Sequence, residues 1–295
     1  MFDTIESVQG SLLEHDYVAS RGLATVVFLS IKLGKPLFLE GEAGVGKTEV
    51  GKVLARMLGA RLIRLQCYEG LDVHNAVYEW DYARQILHLR LLEASAATRA
   101  EMERDLYSPD FLLARPLLQA IQDHAQPPVL LIDEVDRADE EFESFLLEIL
   151  SDYQITIPEI GTLRAERPPH AVITSNRTRE VHDALKRRCL YQWIDYPSFD
   201  TEYQIVEMKV PGISRRLSYQ VVSAVQGLRQ ADLFKPPGVA ETLDWARALL
   251  AMDRQELDEG VVNDTLGVLL KYQDDVQAVQ GGLARELVRQ AHAVA

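Results

Sequence analysis

The sequence has few of the residues that build disulfide or zinc frameworks, and it has no long apolar run. Only two cysteines, Cys67 and Cys189, occur in 295 residues, neither in a CxxC pair, and the seven histidines are scattered without metal-ligand spacing. These counts exclude a disulfide scaffold and a zinc knuckle. They also provide no ligand set for molybdenum, copper or iron. No apolar run approaches the roughly 20 residues of a membrane-spanning helix.

Positive charge is also scarce. The chain has 31 Lys and Arg against 45 Asp and Glu, a formal net charge of −14. This balance repels a DNA backbone unless basic residues segregate onto one face, and the densest basic points are two arginine pairs, at 187–188 and 215–216. The first ten residues carry acids where a signal or transit peptide carries basic residues. We therefore expect a cytoplasmic protein without a membrane span, and the charge argues against nucleic acid as a partner.

The chain alternates short β-rich runs with amphipathic helical stretches. The strand candidates are KPLFLE (35–40), RLIRLQC (61–67), PPVLLIDE (127–134), HAVITSN (170–176) and CLYQWIDY (189–196). Several are almost continuously apolar, as strands covered on both faces are. The pattern predicts an α/β fold with a five-stranded parallel sheet between helical layers.

After residue 198 the β signal stops and the pattern is helical, with breaks at Pro211–Gly212 and Pro236–Gly238. This predicts an αβα domain over residues 1–198 and an all-α domain over residues 199–295. Two further pieces are either insertions on the core or plain surface elements. AVYEWDYARQILHLRLLEA (76–94) shows aromatic alternation running into a helix, and ITIPEIGTLRA (155–165) predicts a hairpin around residues 158–161.

The stretch PLFLEGEAGVGKTEVGKVLARMLG (36–59) matches G-x-x-x-x-G-K-[ST], the Walker A pattern. Its glycines let successive N–H groups converge on one anion, and the following helix adds its dipole. We predict that Lys47 contacts the β and γ phosphates and that Thr48 binds Mg²⁺. The predicted nucleotide-binding residues are Gly41, Glu42, Ala43, Gly44, Val45, Gly46, Lys47, Thr48 and Glu49. Tyr17 and Val18 are candidates to flank the base.

A phosphate loop predicts a partner acid at the end of another buried strand, and VLLIDE (129–134) provides it. We predict that Asp133 holds Mg²⁺ through water, as a Walker B aspartate does. Glu134 can orient and deprotonate the attacking water, which favours hydrolysis over phosphoryl transfer to a metabolite.

Further polar residues follow the last two strand candidates. Asn176 ends HAVITSN and is a candidate to position the attacking water, although an Asn there also suits a simple turn. Arg187 and Arg188 lie between a helix and a strand. They are either solvated surface charges or a finger inserted into a neighbouring subunit's site.

Together these features resemble the AAA+ ATPases over nearly the whole chain. DEVDRADEEFESFLLEILSDYQITIPEIGT (133–162) and VITSNRTREVHDALKRRCLYQWIDYP (172–197) resemble the MoxR branch, and within it the CoxD-like proteins encoded beside molybdenum hydroxylases such as carbon monoxide dehydrogenase.

The resemblance implies ATP bound with Mg²⁺ between an αβα domain and a helical lid, in a ring that is usually hexameric. It also implies a sensor role for Asn176 and a trans-acting finger role for Arg188, with Arg187 as the alternative. Residues 74–92 and 155–165 would face substrate or the ring's pore. Such proteins are chaperones that activate a client enzyme, often with a von Willebrand factor A domain partner, and here the client would be a molybdenum hydroxylase.

One departure from the resemblance concerns the lid. The family commonly has an arginine in the first turn of a lid helix, where KPPGVAETLDWARAL (235–249) is expected to place proline or glycine. Lys235 and Arg247 are the candidates to replace it, and the departure predicts weak lid coupling and slow turnover. Two other functions stay open: an AAA+ motor on nucleic acid, and a P-loop kinase for a small metabolite.

Overall fold

The described part of the chain, residues 2–94, 106–122 and 124–293 of a computed structural model, alternates strands with helices up to residue 194. The strands are β1 (Leu37–Gly41), β2 (Leu62–Gln66), β3 (Tyr78–Trp80), β4 (Leu112–Ala114), β5 (Val129–Asp133), β6 (Gln154–Ile157), β7 (Gly161–Arg164), β8 (His170–Ser175) and β9 (Leu190–Ile194). The accompanying helices are α1 (Ile5–Glu14), α2 (Arg21–Leu33), α3 (Lys47–Leu58), α4 (Val73–Ala76), α5 (Tyr82–Ala94), α6 (Pro116–Ile121), α7 (Glu140–Asp152) and α8 (Asp183–Arg188).

Beyond β9 the described chain is helical. Its helices are α9 (Phe199–Lys209), α10 (Arg215–Arg229), α11 (Val239–Ala251), α12 (Glu259–Leu269), α13 (Gln273–Val279) and α14 (Gly282–Ala293). Within the described ranges, no helix combines the length and apolar character needed to span a membrane.

The central element is a five-stranded parallel sheet with the order β2-β5-β8-β1-β9, which confirms the predicted fold class and all five predicted strands. Strands β1 and β5 are buried at every residue, as expected for strands covered on both faces. Leu39 pairs with Thr174 and Ile132 pairs with Ile173. The carboxyl ends of β1, β8 and β5 therefore lie at one edge of the sheet, the edge at which open α/β sheets bind ligands.

Two small antiparallel pairs accompany the sheet. Strand β3 pairs with β4, and β6 pairs with β7 from Gln154↔Arg164 to Ile157↔Gly161. The predicted hairpin around residues 158–161 is therefore confirmed. The aromatic stretch that follows residue 76 also forms a strand, β3, and then a helix, α5, as its pattern predicts.

The chain divides into two compact units. The first comprises the ranges Met1–Val8, Gly22–Glu40 and Gly51–Gln192, and the second comprises Gln9–Arg21, Gly41–Val50 and Trp193–Ala295. The glycine-rich stretch that follows β1 thus groups with the C-terminal helices. The domain boundary proposed between residues 198 and 199 stays a prediction.

The helical core of the second unit contains a buried ion pair. Arg229 on α10 is 4% exposed, and its guanidinium donates two hydrogen bonds to the fully buried Glu202 carboxylate on α9, at 2.6 and 2.7 Å. Arg229 also donates to the Pro237 carbonyl at 2.8 Å and lies over the Tyr196 ring. The hydroxyl of Thr242 on α11 donates to Glu202 at 2.7 Å. This pair therefore joins α9, α10 and the start of α11.

Replacing Arg229 with Met should lower the free energy of unfolding by about 3–5 kcal/mol, because Glu202 would remain buried without its counter-ion. Urea denaturation of the full chain measures the change. An exposed pair provides the control: Arg216 and Glu256 lie 2.6 Å apart with both side chains at least half exposed.

Replacing Arg216 with Met should change the free energy of unfolding by less than about 1 kcal/mol. The double variant Arg229→Met/Glu202→Leu should recover most of the loss, since no buried charge is left alone. A loss in the double variant as large as in Arg229→Met would contradict the charge explanation.

Candidate functional site

The predicted phosphate loop connects β1 to α3. Gly44 and Gly46 have φ angles of +77° and +95°, which glycine adopts without a Cβ penalty. Lys47 begins α3, is buried, and donates from Nζ to the carbonyl oxygens of Gly41 at 2.8 Å and Glu42 at 2.6 Å. The next residue, Thr48, lies in the first turn of α3, where the positive end of the helix dipole attracts anions. The loop thus has a conformation suited to phosphate.

Tyr17 lies beside this loop. A Cβ built on Gly46 would be 3.8 Å from Cε2 of Tyr17. Burial, with a smaller contribution from the Glu49 carboxylate, raises the pKa of the Tyr17 hydroxyl, which therefore stays neutral. The following residue, Val18, is half-buried. The adjacency of Tyr17 fits the predicted base-flanking role, which stays a prediction for both residues.

The start of α11 contacts the loop directly, which sequence reasoning did not anticipate. The backbone N–H of Ala240 donates to the Gly44 carbonyl at 3.1 Å. A Cβ on Gly238 would lie 2.7 Å from the Ala43 carbonyl oxygen and 2.9 Å from the Gly44 Cα, so only glycine fits there. The Glu241 side chain accepts from the Gly238 N–H at 3.0 Å and so caps the helix.

The expectation that proline or glycine occupies the first turn of this helix is wrong. Gly238 is the N-cap and α11 begins at Val239. The two prolines at 236 and 237 therefore lie before the helix, and the first turn contains neither proline nor glycine. Of the two replacement candidates, Lys235 is exposed, and Arg247 is exposed and pairs with Asp244 on its own helix at 3.2 Å. A further arginine, Arg229, is buried in the helical core of the second unit, where it pairs with Glu202, and the sequence did not predict this burial.

At the carboxyl end of β5, Asp133 is buried and held by two neighbouring strands. Its Oδ1 accepts from Thr174 Oγ1 on β8 at 2.6 Å. Its Oδ2 accepts from the Arg64 guanidinium on β2, with Nη2 at 2.5 Å and Nε at 3.1 Å. A buried carboxylate needs such partners, since desolvation without them is costly.

Glu134 follows at once and turns the chain. Its backbone is left-handed, with φ +54° and ψ +52°, and its N–H donates to Thr174 Oγ1 at 3.0 Å. Its carboxylate, 32% exposed, accepts from Asn176 Nδ2 at 3.2 Å and pairs with Arg137 at 2.9 Å. The structure thus brings together the two residues predicted to handle water, and leaves the Glu134 carboxylate accessible to solvent.

Asp136 is a member of this cluster that sequence reasoning missed. It is buried and accepts from the Asn176 N–H at 3.1 Å, the Thr178 N–H at 2.8 Å and the Thr178 hydroxyl at 2.6 Å. Burial alone would raise the pKa of Asp136, but these hydrogen bonds outweigh it and lower the pKa. Its charge therefore fixes the backbone that presents Asn176. An acid three residues after Asp133 was the available signal.

The predicted finger residues lie on α8. Arg187 and Arg188 are exposed at its last turn, and Arg188 Nη1 lies 3.5 Å from the Ala184 carbonyl oxygen of the same helix. The preceding residue, Lys186, donates from Nζ to both carboxylate oxygens of the buried Glu40 on β1, at 3.2 and 3.4 Å. The helix that carries the arginines is thus tied to the strand that leads into the loop.

The donor set fits a magnesium ion bound together with a nucleotide. No cluster of three or more His, Cys, Asp and Glu side chains that could hold a metal occurs in the described ranges. Mg²⁺ does not require one, because it keeps several waters and binds through one or two carboxylates plus substrate phosphates. Asp133 and Thr48 carry hard oxygen atoms of that kind, and their predicted role as Mg²⁺ ligands stays a prediction. Burial raises the pKa of the Cys67 and Cys189 thiols to about 12, so neither supplies a thiolate at neutral pH.

Comparison with known proteins gives a family match. The model of the AAA domain, dynein-related subfamily, matches residues 36–189, which is just over half of the chain. No curated protein sequence matches significantly.

Among solved structures, the chain is similar to RuvB from Thermotoga maritima. Against a proline-to-glycine mutant of RuvB the TM-score is 0.50 at 15% identity, covering 93% of this chain and 73% of that one. Against an alanine-to-serine mutant it is 0.49 at 16% identity, covering 93% and 72%. Against a structure described as a Holliday junction branch migration motor it is 0.47 at 14% identity, covering 84% and 67%. At these identities the likeness concerns the fold, a P-loop core followed by helices.

Gly238→Ala should weaken binding of an adenine nucleotide about tenfold, because the added methyl group forces the start of α11 away from the loop. Equilibrium titration with a fluorescent ATP analogue measures the affinity.

The matched control is Gly267→Ala on α12, where an added Cβ meets nothing within 4 Å. Its nucleotide affinity should equal that of the unchanged protein. Equal affinities in both variants would mean that the contact between α11 and the loop has no influence on binding.

Proposed function

The chain belongs to the AAA domain family, dynein-related subfamily, and is an ATPase that uses ATP with Mg²⁺; on that premise we propose that it is a ring-forming chaperone that remodels or activates a client protein. The resemblance to the MoxR branch and its CoxD-like members supports a molybdenum hydroxylase, such as carbon monoxide dehydrogenase, as the client. In this proposal the protein acts on the maturation of the client's metal centre.

The observation that carries the proposal is the pairing of Glu134 with Asn176. An accessible carboxylate hydrogen-bonded to an amide at 3.2 Å can hold a water and accept its proton. In a kinase for a small metabolite a carboxylate would accept the proton of the metabolite's hydroxyl group, and an amide that orients water beside it would have no role. The arrangement therefore supports water as the attacking group, and hydrolysis as the source of mechanical change.

The remaining roles follow from the loop and the sheet edge. The N–H groups of residues 41–49 bind the phosphates, and Lys47 exchanges its contacts with the loop carbonyls for contacts with phosphate oxygens. Thr48 and Asp133 would hold Mg²⁺, which would neutralise charge on the phosphates. Tyr17 and Val18 flank the base. Release of γ-phosphate contacts would then change the preferred arrangement of the subunits.

A nucleotide site shared between subunits of a ring requires a side chain that reaches from one subunit into its neighbour's site. Arg187 and Arg188 are exposed at the end of a helix, which suits a finger inserted into another subunit's nucleotide site. Arg188 is the first candidate and Arg187 the alternative. AAA+ proteins generally assemble into rings, and we propose a homohexamer.

Contact with a protein partner is supported by α5. Four large apolar side chains on this helix are more than half exposed: Tyr82, Ile86, Leu87 and Leu91. Large exposed apolar side chains that form a patch are typical of surfaces that bind protein, and α5 supplies several within three turns. Residues 74–92, together with the hairpin at 155–165, are our candidates for the surface that meets the client or the pore. A von Willebrand factor A domain protein is proposed as a further partner, and the cytoplasm as the location.

The test is phosphate release from ATP per subunit, measured over a range of protein concentrations. We expect specific activity to rise with concentration, because a trans-acting finger completes each site only in the assembled ring. Arg188→Ala should reduce activity about 10³-fold or more, as removal of an arginine finger does. Glu134→Gln should bind ATP normally and lose turnover about 100-fold or more.

Lys209→Ala is a control, since this residue lies in the last turn of α9 and has no assigned role. Its activity should match that of the unchanged protein. Turnover that is independent of concentration and survives both Arg188→Ala and Arg187→Ala would remove the ring from the proposal. Normal turnover by Glu134→Gln would remove the assigned water activator.

The alternative is an AAA+ motor on nucleic acid. The net charge of −14 opposes it. Fluorescence anisotropy with labelled single-stranded, duplex and four-way-junction DNA at about 50 mM salt decides between the two. We expect no binding, and salt-dependent binding that stimulates ATP hydrolysis would establish the alternative.

A further inference from the structure

Arg64 places a permanent positive charge on the carboxylate assigned to Mg²⁺. Two guanidinium nitrogens, Nε and Nη2, lie 3.1 and 2.5 Å from Oδ2 of Asp133. The Asp133 side chain is 2% exposed, whereas that of Arg64 is 47% exposed. A carboxylate buried in the protein is thus neutralised by a cation that remains half in solvent.

The two oxygens of Asp133 differ in the kind of partner they have. Oδ1 accepts from the hydroxyl of Thr174, a short neutral group on the buried strand β8. Oδ2 accepts from Arg64, a long charged side chain on β2. Nη2 of Arg64 also donates to Gln66 Oε1 at 2.5 Å, so its guanidinium has a second anchor at the surface.

We propose that Arg64 is a positioning residue that opposes the binding of Mg²⁺ beside Asp133 and thereby sets how strongly Mg²⁺ tightens nucleotide binding. The inference rests on the proposed function, in which Asp133 holds Mg²⁺ through water. A guanidinium remains charged at every physiological pH. Mg²⁺ near Asp133 therefore meets a like charge, and must either tolerate that charge or displace it toward solvent.

The exposure of Arg64 and its contact with Gln66 make displacement feasible. A half-exposed guanidinium that leaves the carboxylate regains water, and Gln66 keeps it near the strand. Thr174 keeps its hydrogen bond to Oδ1 in either case. Arg64 is thus the adjustable partner of Asp133, and the position of the carboxylate is preserved.

The measurement is the affinity for a fluorescent ATP analogue in excess EDTA and in excess Mg²⁺. The Mg²⁺ coupling factor is the dissociation constant in EDTA divided by the dissociation constant in Mg²⁺, so a larger factor means that Mg²⁺ tightens nucleotide binding more. Arg64→Gln should raise this factor about tenfold, because Mg²⁺ no longer meets the guanidinium, while affinity in EDTA stays unchanged. A coupling factor equal to or lower than that of the unchanged protein would overturn the proposal.

Three variants separate charge from shape. Arg64→Lys keeps the charge and should leave the factor close to that of the unchanged protein. Arg61→Gln removes an exposed arginine just before β2 whose guanidinium contacts only Gln119, at 3.4 Å, among the bonds described, and it should change nothing. Gln66→Glu leaves Arg64 in place and gives its guanidinium a second carboxylate, so it should raise the factor and tests the proposal even if Arg64→Gln folds poorly. An equal rise in Arg64→Lys or Arg61→Gln would overturn it.

The Asp133→Asn background distinguishes this inference from the proposed function. Asp133→Asn should lower the coupling factor, and adding Arg64→Gln to it should cause a smaller change than in the unchanged protein, because the Asp133 carboxylate no longer holds the Arg64 guanidinium beside the Mg²⁺ position. If Asp133→Asn leaves the factor unchanged, the assignment of Mg²⁺ to Asp133 fails and the inference fails with it. If Asp133→Asn lowers the factor and Arg64→Gln does not raise it, only the inference is wrong.

Discussion

The burial of one carboxylate, that of Asp133, governs the arrangement at the carboxyl edge of the sheet. β5 is buried throughout, so the charge at its end needs partners from both neighbouring strands, and Thr174 and Arg64 provide them. The Thr174 hydroxyl also accepts from the Glu134 N–H, which fixes the left-handed turn that presents Glu134 to solvent. A constraint on a buried aspartate thus positions the residue proposed to activate water.

In the second unit, too, a buried charge needs a partner, and the resulting ion pair lies close to the segment that contacts the phosphate loop. Arg229 is buried because Glu202 neutralises it, and it also binds the Pro237 carbonyl just before α11. This contact sets the position of Gly238, which lies against the loop. The start of α11 is joined to the loop by a backbone contact, the hydrogen bond from the Ala240 N–H to the Gly44 carbonyl.

The sequence predicts much of the fold and the phosphate loop, because these features depend on local patterns of residues. The five strands and the hairpin follow from apolar runs and turn residues, and the loop follows from its glycine spacing. The residues that pair with buried charged side chains could not be predicted from the sequence. Arg64 and Asp133 are 69 positions apart, and nothing near Arg64 distinguishes it from a surface arginine. For Asp136 the sequence offers only its spacing from Asp133, and it is one of several acids between residues 133 and 143. The sequence predicts the first turn of α11 too early, because prolines and a glycine just before a helix resemble those inside its first turn.

The contact between Lys186 and Glu40 bears on how subunits of a ring would communicate. Glu40 is buried, so its charge requires the Lys186 ammonium, and Tyr191 donates to the same carboxylate at 2.9 Å. Glu40 is the residue before Gly41, and Lys186 is the residue before Arg187. A helix that bears exposed arginines is therefore anchored one residue from the start of the phosphate loop. If either arginine binds a neighbour's nucleotide as proposed, the helix that carries it is held to β1 by this ion pair.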